Sequence, residues 1–307
     1  MLSFILRRLL SLLPVLFAVV TINFFLIRLM PGGPFTNEKS FPEEAIERLN
    51  QHYGLDLPLH VQYFRYLGNL LRGDLGPSLR YSNRTVNAII AKGFPVSLEL
   101  GVLALVFALI IGVSAGIWAS LHPNRPGDYI PMGLAMTGIC LPSFVIGPLL
   151  ILGLALGLGW FNASGWNTIS DRVLPAITLG SGYAAYIARL TRGSMLEVLP
   201  QDYIRTARAK GLPSWQVILR HALHNAILPV VSFLGPAVAG LITGSFVVET
   251  IFHIPGLGKM FVMAASNRDY TLLLGLVVFY ATLVVIFNML VDMLIAIIDP
   301  RTRKHIS

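Results

Sequence analysis

The chain has 307 residues, is 55% hydrophobic and only 12% charged, and carries a formal charge of +8. Soluble domains hold about twice that share of charge, so a mean hydropathy of +0.70 excludes a disordered chain and argues against an ordinary soluble enzyme. The lone Cys140 excludes an internal disulfide and a cysteine-built zinc site, and the 23 Lys and Arg surround long uncharged runs rather than forming the polar basic surface of a nucleic-acid binder.

Leu9–Ile27 is 19 uncharged residues. As a helix at ~1.5 Å per residue it reaches ~28 Å, close to a hydrocarbon core of ~30 Å, and predicts the first span. It exceeds the apolar region of a signal peptide, and no small-residue cleavage site precedes Pro31, so it reads as uncleaved. Residues 31–96 follow as an extracytoplasmic segment with two helical stretches, PEEAIERLNQHYG and VQYFRYLGNLL. This segment is polar enough for water and predicts a small cap. Further spans are expected at Leu100–Leu121, at about 129–157 with a Gly- and Trp-rich loop after it, at Val173–Ala188, at Asn225–Val248 and at Tyr270–Val291. The expected class is an all-α integral membrane protein with six transmembrane helices, each satisfying its own backbone hydrogen bonds. Three small-residue pairs, Gly112/Gly116, Gly153/Gly157 and Gly240/Gly244, are spaced for close helix approach.

Six spans put both termini on one side. Of the 23 Lys and Arg, 12 lie in the segments that share the side of the N-terminus, which places both termini, including the tail 301–307, in the cytoplasm. The core is then 97–300, with a cytoplasmic loop at 193–225. In that loop Asp202 is placed as a helix N-cap and Gly211 as the residue ending the helix. Pro213 opens a second helix with Trp215, Ile218, Leu219 and Ala222 on one face. Tyr203, Ile204 and Ala207 give the first helix an apolar stripe, and Arg205, Arg208 and Lys210 make it basic. Residue chemistry alone leaves two roles open, a protein-docking surface and a pair of helices lying on acidic lipid.

Chemistry of other kinds is scarce. The Gly258-Lys259 pair lacks the glycine and hydroxyl residue of a phosphate-cradling loop, having His253 and Met260 there, so no nucleotide site of its own is expected. Glu99, Glu249 and Asp292 stand at the ends of apolar runs, where capping or ion pairing is expected rather than proton relay. His221 and His224 share a helix face without an acid or thiol nearby, and no metal site is expected.

The loop DYIRTARAKGL (Asp202–Leu212), followed by RHALHNAILP (Arg220–Pro229), resembles the cytoplasmic coupling-loop signature of ABC-importer permeases, specifically the peptide and nickel class. Arg205, Thr206 and Ala207 stand where the general signature has E-A-A, and Gly211 at its glycine. FILRRLL, RLMPGGPF, GDLGPSLRY, GLAMTGICLPSF, ETIFHIPGLGKMF, NRDY and VDMLIAIIDPRTR extend the likeness over nearly the whole chain, and GPSLRY and SGWN lean towards the oligopeptide branch. The resemblance implies the type I ABC-importer permease fold and half of a translocation pathway for oligopeptides in the bacterial inner membrane. Its implied partners are a second homologous permease, two ATPase subunits that bind ATP and Mg, and an extracytoplasmic solute-binding protein. It further implies that Asp202, Arg205, Thr206, Ala207, Arg208, Ala209, Lys210, Gly211 and Leu212 couple this chain to an ATPase subunit. On steric grounds Ala207 and Leu212 are expected to sit in a groove of that subunit, with Arg205, Arg208 and Lys210 pairing with acids on its rim. The alternatives are a dipeptide, nickel or other solute importer of the same class, an ion-coupled secondary carrier and a membrane scaffold.

Overall fold

The computed structural model describes residues 2–29, 33–35, 43–81, 83–243 and 245–298, so the tail 301–307 lies outside the described residues. Among those residues the only β pairing is an isolated bridge between Pro77 and Thr85. α1 (Leu2–Leu29) takes up the first apolar run, and α2 (Glu43–Tyr53) and α3 (Leu59–Leu71) follow it. α4 (Val86–Leu121) has 36 residues, ~54 Å of helix, and begins well before the uncharged run that marked it.

The next expected span is not one helix. α5 (Pro126–Cys140) and α6 (Ser143–Leu150), continued by a π-helical turn at Ile151–Gly157, meet at a bend of 111°. Pro142 has no N–H to continue the ladder and forces Leu141 into an extended conformation, φ −94° and ψ 122°. Beyond the loop come α7 (Ser170–Val198), α8 (Asp202–Ala209) and α9 (Ser214–Gln216), then a second π-helical turn, Val217–Ala222. α10 (Leu223–Ala226), α11 (Leu228–Thr243), α12 (Phe246–Ile251), α13 (Leu257–Ser266) and α14 (Tyr270–Ile298) complete the order.

By length and apolarity, α4, the stretch Leu228–Ile251 and Tyr270–Val291 can each cross a membrane, and α5 with α6 make a fourth crossing if the bent pair counts as one. The apolar part of α1 with described side chains, Leu13–Leu29, is shorter. α7 is long enough but carries Asp171, Arg172, Arg189, Arg192 and Glu197. Buried residues recur along it from Asp171 to Met195, so one side of it is packed against the rest of its unit.

The chain divides into two units, Met1–Pro95 with Gly256–Leu283, and Val96–Pro255 with Val284–Ser307. In the first, Phe24 and Ile27 of α1 pack with Phe35, Tyr63, Leu79, Tyr270 and Leu274, and a second core joins Val86, Ile89 and Ile90 to Leu257, Ala264, Leu272 and Leu276. Buried Asp269 ties two of the sequence motifs together, accepting hydrogen bonds from the Ser78 hydroxyl and from the N–H groups of Leu79 and Leu272, each of the latter at 3.1 Å.

In the second unit α7 is the axis. Between helices in lipid no hydrophobic force operates, so close approach supplies the attraction. A Cβ at Gly112 would lie 2.6 Å from the Ala184 carbonyl oxygen, one at Gly116 2.6 Å from that of Ala188, and one at Gly138 2.5 Å from that of Ser181. α4 and α5 therefore both touch α7 backbone to backbone. Gly240 faces the Tyr183 hydroxyl, while its expected companion Gly244 lies outside the described residues. The pair Gly153/Gly157 does not pack: Gly153 has open space beside it and Gly157 meets its own turn.

Candidate functional site

The loop singled out by sequence forms a compact helical hairpin at the end of α7. α8 starts one residue earlier than a cap at Asp202 implies: Gln201 is the N-cap, with φ −66° and ψ 149°, and its side chain makes no capping bond. Asp202 is the first helical residue, where its carboxylate complements the helix dipole. The other end is as expected. Gly211 has φ +77°, its N–H donates to the Arg208 carbonyl at 3.0 Å, and that of Leu212 donates to the Ala207 carbonyl at 3.4 Å. This is a Schellman termination, with the hydrophobic contact between Leu212 and the core beneath that usually accompanies it.

Pro213 is the residue before α9, not its first turn. The following face differs from the one drawn with a period of 3.6. Trp215 and Leu219 are exposed, while Val217 and Ala222 are fully buried. The π-helical turn Val217–Ala222 is the cause, since its wider turn brings residues five apart to the same side.

These two buried residues close a small core with Met195, Ile204, Ala207 and Ala226, flanked by Val198, Leu199, Leu212 and Ile218. Ala207, expected to enter a partner's groove, is instead 6% exposed and packed inside its own chain, with Leu212 half-buried beside it. Its small side chain serves the approach of α8 to the π-helical turn. The outward face consists of Asp202, Tyr203, Arg205, Thr206, Arg208, Ala209, Lys210 and Gly211. Three cations and one tyrosine thus stand on a helix held rigidly from behind. The Asn225 amide donates to the Tyr203 hydroxyl at 2.8 Å and fastens α8 to α10. The Arg205–Asp202 pair at 3.6 Å is almost wholly exposed and contributes little.

One turn before Met195, Arg192 holds Asp128 of α5 through two hydrogen bonds of 2.6 Å, from Nε and Nη2. Asp128 is buried, and this bidentate clasp joins the start of α5 to α7. Sequence inspection missed it, since residues 64 positions apart show no pattern.

The acids at the run ends divide as follows. Glu99 accepts from Arg172 Nε at 2.6 Å and from Trp166 Nε1 at 3.2 Å. Glu249 is fully buried and accepts from the Ser97 hydroxyl at 2.7 Å and the Ser245 hydroxyl at 2.6 Å. The side chain of Asp292 lies outside the described residues. A fourth acid, Asp171, organises the loop before α7. It accepts from the Asn162 amide at 2.6 Å, the Thr168 hydroxyl at 2.9 Å and the N–H groups of Asn167 and Thr168 at 2.6 and 2.8 Å. The Asn162 amide, then the Thr168 N–H, hold this carboxyl well below the usual carboxylate range.

Comparison with known proteins covers the whole of this architecture. Residues 108–304 match the family described as binding-protein-dependent transport system inner membrane component, and residues 1–101 match the N-terminal region of the same kind of membrane component. The oligopeptide transport system permease protein OppB of Haemophilus influenzae is 50% identical over 305 residues, 99% of this chain and 100% of that one. OppB of Escherichia coli (strain K12) is 51% identical over the same span, and the dipeptide permease DppB of Bacillus subtilis 43% identical. Among solved structures, an inward-facing methionine ABC transporter matches with TM-score 0.58 at 18% identity, over 69% of this chain and 96% of that one, which shows a shared fold. From its N-terminal helix through α14, this chain is a member of the binding-protein-dependent transport system inner membrane component family.

Proposed function

We propose that this chain is a permease subunit of an ATP-driven importer of oligopeptides. The observation that carries the substrate is full-length identity of 50–51% to oligopeptide permeases, against 42–43% to dipeptide permeases. The chain provides half of the pathway beside a second homologous permease. Peptide is delivered by an extracytoplasmic binding protein, and ATP and Mg are bound by two cytoplasmic ATPase subunits. Support for energy coming from elsewhere is the absence of a phosphate-cradling loop in the sequence.

The basic outward face of α8 is the surface that meets an ATPase subunit. Arg205, Arg208 and Lys210 contact acids on its rim, and Tyr203 fills a depression there. Because Ile204, Ala207 and Leu212 anchor α8 to α7 and the π-helical turn, movement of the ATPase is passed on rather than absorbed. The charge asymmetry supports a cytoplasmic position for this loop and for both termini, with residues 31–96 outside.

The deciding experiment is uptake by proteoliposomes containing the full transporter, with a peptide library graded by length. Oligopeptide uptake that stops when the catalytic residue of the partner ATPase is removed is expected. Uptake restricted to dipeptides would move the chain to the neighbouring branch, and uptake driven by an ion gradient without ATP would refute the proposal. Reporter fusions after Gly73 and after Lys210 should report opposite sides of the membrane.

A further inference from the structure

α3 was expected to belong to a water-exposed cap, yet it has two apolar faces. One is turned inward: Tyr63 and Tyr66 stack on Phe25 and Phe24 of α1 with ring centroids 5.5 and 5.8 Å apart. The other is bare. Val61, Phe64, Gly68 and Leu71 follow one another at spacings of three, four and three, which is a single stripe along a helix. Phe64 is 67% and Leu71 89% exposed, and a Cβ at Gly68 would meet nothing within 4 Å. Scattered exposed hydrophobic residues are ordinary, but a continuous stripe marks a surface that meets something apolar.

The position of α3 says what that is. The apolar run of α1 ends at Ile27, before Arg28. The Tyr63 hydroxyl lies 2.7 Å from the Thr21 hydroxyl, and Thr21 is six residues, ~9 Å of helix, inside that end. α3 therefore lies beside the last turns of the span rather than above them. The neighbouring part of α1 is itself apolar and exposed at Ile22, Phe25, Leu26 and Leu29. The stripe is flanked by His60 on one side and by Arg65 and Arg72 on the other, all exposed. A helix sunk ~5–10 Å into the headgroup boundary has this pattern: apolar residues towards the acyl chains, cations at the level of the phosphates.

We propose that α3 is an interfacial helix that docks on the phospholipid surface at the Arg28 end of α1, with Phe64 and Leu71 in the acyl region and Arg65 and Arg72 at anionic headgroups. A soluble protein docking from water would leave Phe64 and Leu71 bare whenever it left. Lipid covers them permanently and needs no further partner.

The test uses the full chain in its own membranes, with the photoreactive residue p-benzoylphenylalanine placed at Phe64 or at Leu71. Illumination should give phospholipid adducts at both positions, read as lipid-sized mass increments on the purified protein. Adducts to another protein, or no lipid adduct at either position, would overturn the proposal. If those variants fail to accumulate, Phe64→Trp serves instead. Its added emission, taken as the difference from the unsubstituted protein, should fall about twofold or more in brominated phosphatidylcholine bilayers. Unquenched added emission would refute it equally.

Discussion

Gly116→Ala is the sharpest test of how α4 and α7 associate. The new methyl group would stand 2.6 Å from the Ala188 carbonyl oxygen, 2.6 Å from Thr191 Cβ and 3.0 Å from the Arg192 nitrogen. Carbon contacts settle at ~3.5 Å or more, so the helices must part locally by ~0.9 Å. All three obstacles are backbone or Cβ atoms, and no rotamer change clears them. Overpacking of this kind costs ~1–3 kcal/mol, against at most ~1 kcal/mol regained from alanine's better helix propensity. A net loss of up to ~2 kcal/mol is expected once the full propensity gain is subtracted. The control is Gly193→Ala on α7, where nothing lies within 4 Å and the change should be neutral or stabilising by up to ~1 kcal/mol. Gly112 presses on Ala184 and Ile187 in the same way, and one separation of the helices relieves both sites. The Gly112→Ala/Gly116→Ala double variant should therefore cost less than the sum of the two. Unfolding free energies from SDS titration of the protein in detergent micelles measure each term. The reasoning fails if Gly116→Ala matches Gly193→Ala, or if the double variant is strictly additive.

Gly211→Val should impose ~1–2 kcal/mol of backbone strain at φ +77° and lower peptide uptake per ATP hydrolysed in the assembled transporter, whereas Arg208→Gln should be mild because exposed pairs contribute ~0–1 kcal/mol. Ala207→Trp should disrupt the core behind α8 by ~1–3 kcal/mol of overpacking, seen as faster proteolysis between α8 and α10 rather than as a docking defect alone. Asp171 has a depressed carboxyl pKa, so its contribution is complete above the unfolded value of ~3.9 and is lost as pH falls through the lower folded value. An acid-induced change in Trp166 emission should therefore begin below pH ~4 and be absent in Asp171→Asn. Glu249→Leu leaves the Ser97 and Ser245 hydroxyls without that acceptor and should cost ~1–3 kcal/mol, with Glu249→Gln closer to neutral in the same SDS titration.

The spans were legible because lipid imposes one simple rule, an uncharged run of sufficient length, and Leu100–Leu121 and Tyr270–Val291 obey it. Gly211 was legible for a similar reason, since a left-handed residue at a helix end favours glycine. Features that depend on where the chain meets itself were hidden. Pro142 could have signalled the bend of α5 and α6, but the apolar run continues across it and masks the break. The side to which Ala207 points was misjudged because the π-helical turn shifts Val217 and Ala222 out of the usual period. Nothing local announces that Arg192 will find Asp128 or that Asn162 will reach Asp171, although Thr168 and Asp171, three apart at the start of α7, are spaced for a local contact. The first two are settled by tertiary packing.

The clasp between Arg192 and Asp128 has a mechanical consequence. Within about two turns of α7 lie the contact with α4 at Ala188 and Thr191, the ionic grip on α5, and Met195 in the core beneath α8. A displacement applied to α8 thus meets no slack before it reaches three long helices at once. If α8 meets an ATPase subunit as proposed, the loop is the handle of a lever whose shaft is α7. The stiffness of that shaft, more than the affinity of the handle for what grips it, would then set how much of each stroke arrives at the far end.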